Sequence, residues 1–379
     1  MNKSLIIIVN EDSFFLSHRL RIAELAKEKG WNVSIAGKDT GRKNIIEEKG
    51  FKFISMPINP IGMNLKEEMK LLRFLLRLFR NNQESVIHLV GLKNMLWGGI
   101  ASKLVKKDRI VFAVSGLGTL FGEKKSNFIT KNILKLLKVG VRGNKRAIVF
   151  QNHEDEALFK ENRVSEGIPV FYLKGSGISL FKYSRNLHRK EGEPLKIIFT
   201  GRMLKEKGVE DLIRAAELLR TKYEGRIEFL LCGGVTNNKD SFTIKELQEL
   251  SDGRYIKWLG FREDIPQLLA DADIMCYPSY YREGVPKSLL EASAASLPII
   301  TTDSVGCRDT VEDQINGFIV PAHSYQKFAE ALEKLIEDED LRIRMGTNSR
   351  KKAEKEYDVE KVANTHLEIY EMLINDFPK

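Results

Sequence analysis

Four charged residues in the second half of this chain have the types and spacing to form a phosphate-type ligand site. Glu283 and Glu291 lie in YPSYYREGVPKSLLEASAASLPIITTDSVGCRDTV, Tyr277 to Val311, with seven residues between them. Pro286 sets the first turn of a helix there, because proline at that position forfeits no needed N–H. Glu283 then stands at the helix mouth and Glu291 further along it, before an apolar run, Pro298 to Thr301, that reads as a buried strand. Upstream, TGRMLKEKGVEDLIRAAELL, Thr200 to Leu219, reads as a strand end, a turn at Gly201 and a helix starting near Gly208. Arg202 and Lys207 flank that helix N-terminus, where free N–H groups and the positive dipole end favour a phosphate. Arginine with lysine suits more than one anionic oxygen. A capped amphipathic helix and a solvated basic loop explain each motif alone, but not the two together.

A reaction in which a bond to a diphosphate breaks would use such a set, because the leaving diphosphate gains negative charge. Cations at that diphosphate stabilise the transition state more than the ground state, the kind of binding that accelerates a reaction. Gly284 and the N–H groups that follow, from Val285 on, permit close approach to sugar or phosphate because glycine lacks a Cβ. Asp271-Ala272-Asp273 has the spacing with which some transferases hold a divalent cation, but its context, LLADADIMCYPS, is a helix end entering a strand. With Arg202 and Lys207 at the diphosphate, no metal or other cofactor is expected.

These residues must be positioned by alternating strands and helices, the pattern of parallel α/β sheets. Leu5–Val9, Val33–Ala36, Phe51–Ser55, Val86–Val90, Ile110–Val114, Ala147–Phe150 and Val170–Leu173 read as strands, with helices over His18–Lys29 and Lys66–Arg80. A polar stretch, Tyr183 to Pro194, reads as a linker. The pattern restarts with Leu195–Phe199, Ile227–Leu231, Ile256–Leu259, Ile274–Tyr277, Ile299–Thr301 and Gly317–Val320, and Val359–Ile374 is helical. At 379 residues and 42% hydrophobic content the chain has material for two cores. Three scattered cysteines, Cys232, Cys276 and Cys307, fit reduced thiols in a cytosol. The apolar run Leu5–Val9 is too short for a signal peptide and no window is long enough to span a membrane.

The G-R-x4-K-G turn followed by P-S-x-x-x-E-G-x-P-x-x-x-x-E-A resembles the retaining glycosyltransferases of family 4, and the likeness extends over essentially the whole chain. FFLSHRL (Phe14–Leu20), HLVGLKNMLWGG (His88–Gly99), VFAVSGLGTLF (Val111–Phe121) and FQN (Phe150–Asn152) are similar to the branch acting on polyprenyl-diphosphate-linked sugars, including N-acetylhexosaminyltransferases of the bacillosamine-carrier-lipid type. The resemblance implies the GT-B fold: two Rossmann-like domains, 1–182 and 183–358, facing each other across a cleft that holds the ligands, with the last helix, 359–379, crossing back to the first. It implies front-face attack with retention, in which the donor phosphate helps take the acceptor proton. It gives Glu283 contacts to the donor sugar hydroxyls and Glu291 a hydrogen bond to the ribose. Gly201, Gly284 and Val285 join the donor site.

The chain departs from the family pattern where many relatives have glycines after the first strand; here stand Asn10-Glu11-Asp12-Ser13. Many also carry a histidine after the strand ending here at Val114, where this chain has Ser115-Gly116-Leu117-Gly118. Ser115 and the backbone at Gly116 and Gly118 are expected to face the reacting sugar. His18 and His88, each at an element end, read as structural. Ser296 takes a place usually given to glycine, at the end of the helix carrying Glu291.

A net charge of +9 calls for an anionic partner. Lys66, Lys70, Arg73, Arg77 and Arg80 recur at helical spacing with leucine and phenylalanine between them, and Lys131, Lys135, Lys138 and Arg142 repeat the spacing with no intervening acid. Basic stripes beside apolar faces suit helices lying on an anionic leaflet. An ordinary amphipathic surface helix is the plainer reading of each, and no nucleic-acid motif appears. The expected activity is transfer of a sugar, an N-acetylhexosamine, from a UDP-sugar to an undecaprenyl-diphosphate-linked saccharide on the cytoplasmic face of the membrane. A GT-B sugar-nucleotide epimerase and a non-catalytic subunit of a polysaccharide assembly are the alternatives.

Overall fold

The first strand, β1 (Ser4–Glu11), explains why the strands are legible. Leu5, Ile7 and Val9 enter one hydrophobic layer while Ile6 and Ile8 enter another, so a strand covered on both faces needs an unbroken apolar run. The computed structural model describes residues 3–60, 62, 64–118, 127–184, 192–236 and 238–375. Residues 119–121 of the VFAVSGLGTLF motif, 185–191 of the polar stretch and 376–379 of the last segment lie outside the described residues. The chain divides into two units, Met1–Gly177 with Val359–Lys379, and Ile178–Asp358.

In the first unit β1 is followed by α1 (Asp12–His18), α2 (Leu20–Glu28), β2 (Asn32–Lys38), α3 (Lys43–Glu48), β3 (Lys52–Ser55), α4 (Leu65–Arg80) and β4 (Val86–Val90). Then come α5 (Leu92–Leu104), β5 (Ile110–Val114), α6 (Asn127–Val141), β6 (Arg146–Phe150), α7 (His153–Glu161) and β7 (Val170–Tyr172). The strands form one parallel sheet in the order β3-β2-β1-β4-β5-β6-β7. Leu71, Leu75 and Phe79 of α4, Met95 of α5 and Leu137 of α6 cover one face. Phe15 of α1, Ile22 of α2 and, from the far end of the chain, Ile369, Tyr370 and Leu373 cover the other.

The second unit carries β8 (Leu195–Thr200), α8 (Val209–Tyr223), β9 (Ile227–Cys232), α9 (Ile244–Leu250), β10 (Ile256–Gly260), α10 (Ile265–Ala270) and β11 (Ile274–Tyr277). It continues with α11 (Lys287–Ala294), β12 (Ile299–Thr302), β13 (Gly317–Val320), α12 (Tyr325–Glu337) and α13 (Glu339–Glu356), after which α14 (Val359–Ile374) belongs to the first unit. The parallel order is β10-β9-β8-β11-β12-β13. Chain order therefore reverses between β8 and β11 here, and between β1 and β4 in the first unit. At such a reversal the loops leave in opposite directions and open a crevice at the carboxyl ends of the strands.

Two local readings change, and a third, at Ser296, holds. The single helix expected over His18–Lys29 is two, starting at Asp12 and breaking at Arg19 (φ −131°, ψ −5°). Pro286 is the residue capping α11 rather than its first turn. Ser296 is left-handed (φ 59°): its N–H bonds Ser293 O at 3.1 Å and Leu297 N–H bonds Ala292 O at 3.0 Å, the paired bonds of a Schellman end.

Candidate active site

The loop leaving β8 is built around Gly208. It holds φ +73°, and a Cβ there would lie 2.1 Å from the Pro278 carbonyl oxygen, so only glycine lets the loop after β11 pass so close. Before it, Lys205–Lys207 form one 3₁₀ turn and, after it, α8 begins. Gly201 leaves the strand with its N–H bonded to Cys232 O at 2.9 Å. Arg202 is exposed and forms no ion pair among the described residues. It is close enough to the Tyr277 and Tyr281 phenols to favour their ionised forms, although burial pushes both upward.

Lys207 behaves differently. Its side chain is 5% exposed, and its ammonium donates to Glu283 Oε1 at 2.6 Å, Glu283 Oε2 at 2.7 Å and Tyr277 Oη at 2.8 Å. It also lies 5.2 Å from the Tyr277 ring centroid and 5.3 Å from that of Tyr281. Ser279 Oγ donates to Glu283 Oε1 at 3.4 Å. The carboxylate expected at the sugar and a cation expected at the diphosphate thus form one ion pair, across the β8–β11 reversal.

Glu291 sits in α11, where Tyr183 Oη donates to Oε1 at 3.0 Å and Lys287 Nζ lies 3.5 Å from the same oxygen. Burial pushes its carboxyl up, against the pull of Lys287 and Tyr183. Tyr183 is itself fixed by Arg350, whose Nη1 donates to the carbonyls of Tyr183 at 2.9 Å and Ala294 at 2.6 Å. Gly284 is buried, with its carbonyl where a Cβ on Gly306 would stand, and the Val285 side chain enters the hydrophobic core, so neither position has a side chain to offer a ligand. Asp273 accepts the Lys196 N–H at 2.8 Å, which ties the start of β11 to β8, and Asp271 stands at the C-terminal end of α10.

In the first unit Ser115 follows β5, and Gly116 and Gly118 have positive φ of 102° and 66°. Gly91 caps α5 at φ +85°; a Cβ there would sit 3.9 Å from both Ser115 Oγ and Asn10 Nδ2. Asn94 Nδ2 donates to Asn10 Oδ1 at 2.9 Å. Asn10 and Asn94 are the polar residues that sequence reading missed; the departure from glycine after β1 was the available signal. His88 is fully buried, bonded through Nδ1 to Tyr370 Oη at 2.6 Å and stacked on His366. His18 stacks on Phe14 beside Ser17. Neither histidine lies among the polar groups that follow β4 and β5.

Two family models match the chain: glycosyl transferase 4-like over residues 4–152 and glycosyl transferases group 1 over residues 182–352. The N,N'-diacetylbacillosaminyl-diphospho-undecaprenol alpha-1,3-N-acetylgalactosaminyltransferase of Campylobacter jejuni is 26% identical, over 96% of this chain and 99% of its own length. The UDP-Gal:alpha-D-GlcNAc-diphosphoundecaprenol alpha-1,3-galactosyltransferase of Escherichia coli is 24% identical, over 93% and 92%. HepE of Anabaena, solved in complex with UDP, superposes with a TM-score of 0.76 at 18% identity, over 97% and 98%. The chain is a glycosyltransferase and belongs to the retaining family 4 of GT-B fold.

Proposed function

We propose that this enzyme moves an N-acetylhexosamine from a UDP-sugar to an undecaprenyl-diphosphate-linked saccharide, with retention and without a metal, in glycan or polysaccharide assembly. The observation that carries the reading is the gathering of Arg202, Lys207, Glu283 and the α8 N-terminus at the β8–β11 reversal. The near full-length likeness to two diphospho-undecaprenol transferases supports the acceptor class. Arg202 and Lys207 take up charge as the diphosphate leaves; losing one such contact costs ~10²–10³ in rate. Glu283 orients the sugar through its hydroxyls. Both partners of Glu291 reach Oε1, which leaves Oε2 to accept from ribose. Ser115 and the backbone at Gly116 receive the acceptor. The decisive assay pairs a panel of nucleotide sugars with an undecaprenyl-diphosphate-linked acceptor in EDTA. Lipid product lengthened by one hexosamine supports the reading. Donor turnover without acceptor makes the protein an epimerase, and loss of transfer in EDTA removes the metal-free mechanism.

The same reading places the first unit on an anionic leaflet. Lys66, Lys70, Arg73, Arg77 and Arg80 are all exposed on α4 with no acidic partner among the described residues, beside Leu65 at 73% exposure. Arg73, Arg77, Arg80 and Asn81 line a 440 Å³ depression. On α6, exposed Lys131 and Lys135 and half-buried Lys138 accompany exposed Phe128, Leu136 and Val139, whereas Arg142 is spent on Glu166 at 3.2 Å. Both helices pack on α5 and so flank it on one face of the sheet. Among the described residues no helix is long and apolar enough to cross a membrane. Glutamine at Lys131, Lys135 and Lys138 should release the protein from anionic vesicles while UDP binding persists. Flotation unchanged by the substitutions and by high salt contradicts this face as the contact.

A further inference from the structure

A lysine ammonium has three N–H donors. In Lys207 all three are engaged, two by the oxygens of Glu283 and one by Tyr277 Oη. The ammonium is enclosed, with the Tyr277 and Tyr281 rings on its flanks, while Glu283 is the more accessible member of the pair at 18% exposure against 5%. Arg202, on the same loop, is exposed and has no ion pair among the described residues. The two cations of this loop are therefore not equivalent. Arg202 has donors to offer an arriving diphosphate at once. Lys207 has none until Glu283 yields one.

We propose that Glu283 is an exchangeable stand-in for the donor diphosphate: a phosphate oxygen replaces one Glu283 oxygen on Lys207 Nζ, and the carboxylate so released turns to the hydroxyls of the donor sugar. The inference rests on the donor-site reading given above and specifies how that site assembles. Three physical consequences follow. An enclosed ammonium is never left without an anion, so neither the empty nor the filled site contains an unpaired buried charge. The carboxylate is held out of the sugar position until a diphosphate arrives, which links recognition of one end of the donor to orientation of the other. Glu283 also competes with the diphosphate for Lys207, so part of the binding free energy of the nucleotide is spent on displacement. Tyr277 is the fixed point of the exchange: it keeps its bond from Lys207, and Tyr277 Oη and Ser279 Oγ, at 3.3 and 3.4 Å from Glu283 Oε1, hold the carboxylate within reach during the swap.

The competition gives an unusual sign. Glu283→Gln keeps the shape but removes the negative charge, so it should bind UDP more tightly than the wild type, by about 3- to 10-fold, while transfer collapses. Calorimetric UDP titrations of the wild type, Glu283→Gln, Lys207→Gln and the double variant test it, with thermal unfolding of each to establish that the second unit is intact. In the exchange, Lys207→Gln costs more UDP affinity in the Glu283→Gln background than in the wild type, because only there is Lys207 unopposed. UDP affinity unchanged or weakened in a folded Glu283→Gln protein, with Lys207→Gln still weakening UDP, overturns the exchange but leaves the donor site in place. If neither Lys207 variant alters UDP affinity, Lys207 is not a diphosphate ligand and the exchange fails with it. A wild type that binds no UDP at all overturns the donor-site reading itself.

Discussion

The carboxyl ends of the two sheets offer different chemistry. In the second unit, the segments leaving β8 and β11 carry an exposed cation, Arg202, an enclosed ion pair, Lys207–Glu283, and, in α11, a second acid, Glu291, raised by burial. In the first unit the β1–β4 reversal and the segment after β5 bring together amides, a hydroxyl and glycine backbone, at Asn10, Asn94, Gly91, Ser115 and Gly116, beside the acids Glu11 and Asp12 that end β1 and start α1. A highly charged diphosphate needs strong, fixed countercharge, and charge is inexpensive to hold only where it is paired or exposed. A neutral sugar needs directional hydrogen bonds without that cost. The contrast separates the handling of charge from the handling of hydroxyls within one chain.

The largest effects should come from breaking the charged end. Arg202→Ala has no partner to strand, so UDP affinity should fall by roughly 10- to 100-fold, as for a charge-assisted hydrogen bond of 1.5–3 kcal/mol, with unchanged unfolding. Lys207→Ala should weaken UDP and also lower stability by up to about 3 kcal/mol, because Glu283 loses its buried partner. Parallel calorimetry and thermal melts separate the two. Equal stability losses would mean that Arg202 is as enclosed as Lys207.

Away from the site, two buried histidines give the first unit a pH signature. Burial pushes His366 down to about 3 and His88 well down also, with Arg19 opposing protonation of both and His366 adding to it at His88. A folded value below the unfolded value of about 6.5 means the unfolded chain binds more protons as pH falls. The stability contribution is therefore complete above about pH 6.5 and is lost as pH drops towards 3, at up to about 1.4 kcal/mol per pH unit for each histidine. Urea unfolding between pH 7 and 5 should show this slope, and His366→Gln should reduce it. A slope that His366→Gln leaves unchanged would place its origin elsewhere.

The smallest effect expected is at the end of α11. Ser296→Gly removes the cost of a left-handed serine, so stability should stay the same or rise by up to about 1 kcal/mol. A clear loss would mean that the serine side chain contributes more than its backbone strain costs.

What was legible in the sequence follows from range. Each strand lies within two residues of its expected ends, in the inner strands because burial on both faces imposes a continuous apolar run, and Gly208 and Ser296 announced themselves through turn chemistry that needs a particular backbone. The break at Arg19 was hidden because the helical pattern continues across it: Asp12, which takes N–H groups from Ser13, Thr40 and Arg42, starts the helix earlier and fixes its direction. The pairing of Lys207 with Glu283 spans 76 residues, that of Tyr183 with Glu291 spans 108 and that of Asn10 with Asn94 spans 84. No local periodicity records such contacts. Residue types named the members of the donor site, but only the fold revealed that two of them bind each other.

The central claim is that the diphosphate is held by the cations of the loop after β8. Its most direct test compares UDP with uridine, wild type against Arg202→Ala, by calorimetry, since the difference between the two ligands isolates the diphosphate. The wild type should prefer UDP strongly, and Arg202→Ala should lose most of that preference while its uridine affinity stays unchanged. Equal weakening of both ligands, or a wild type that binds uridine as tightly as UDP, would contradict the account.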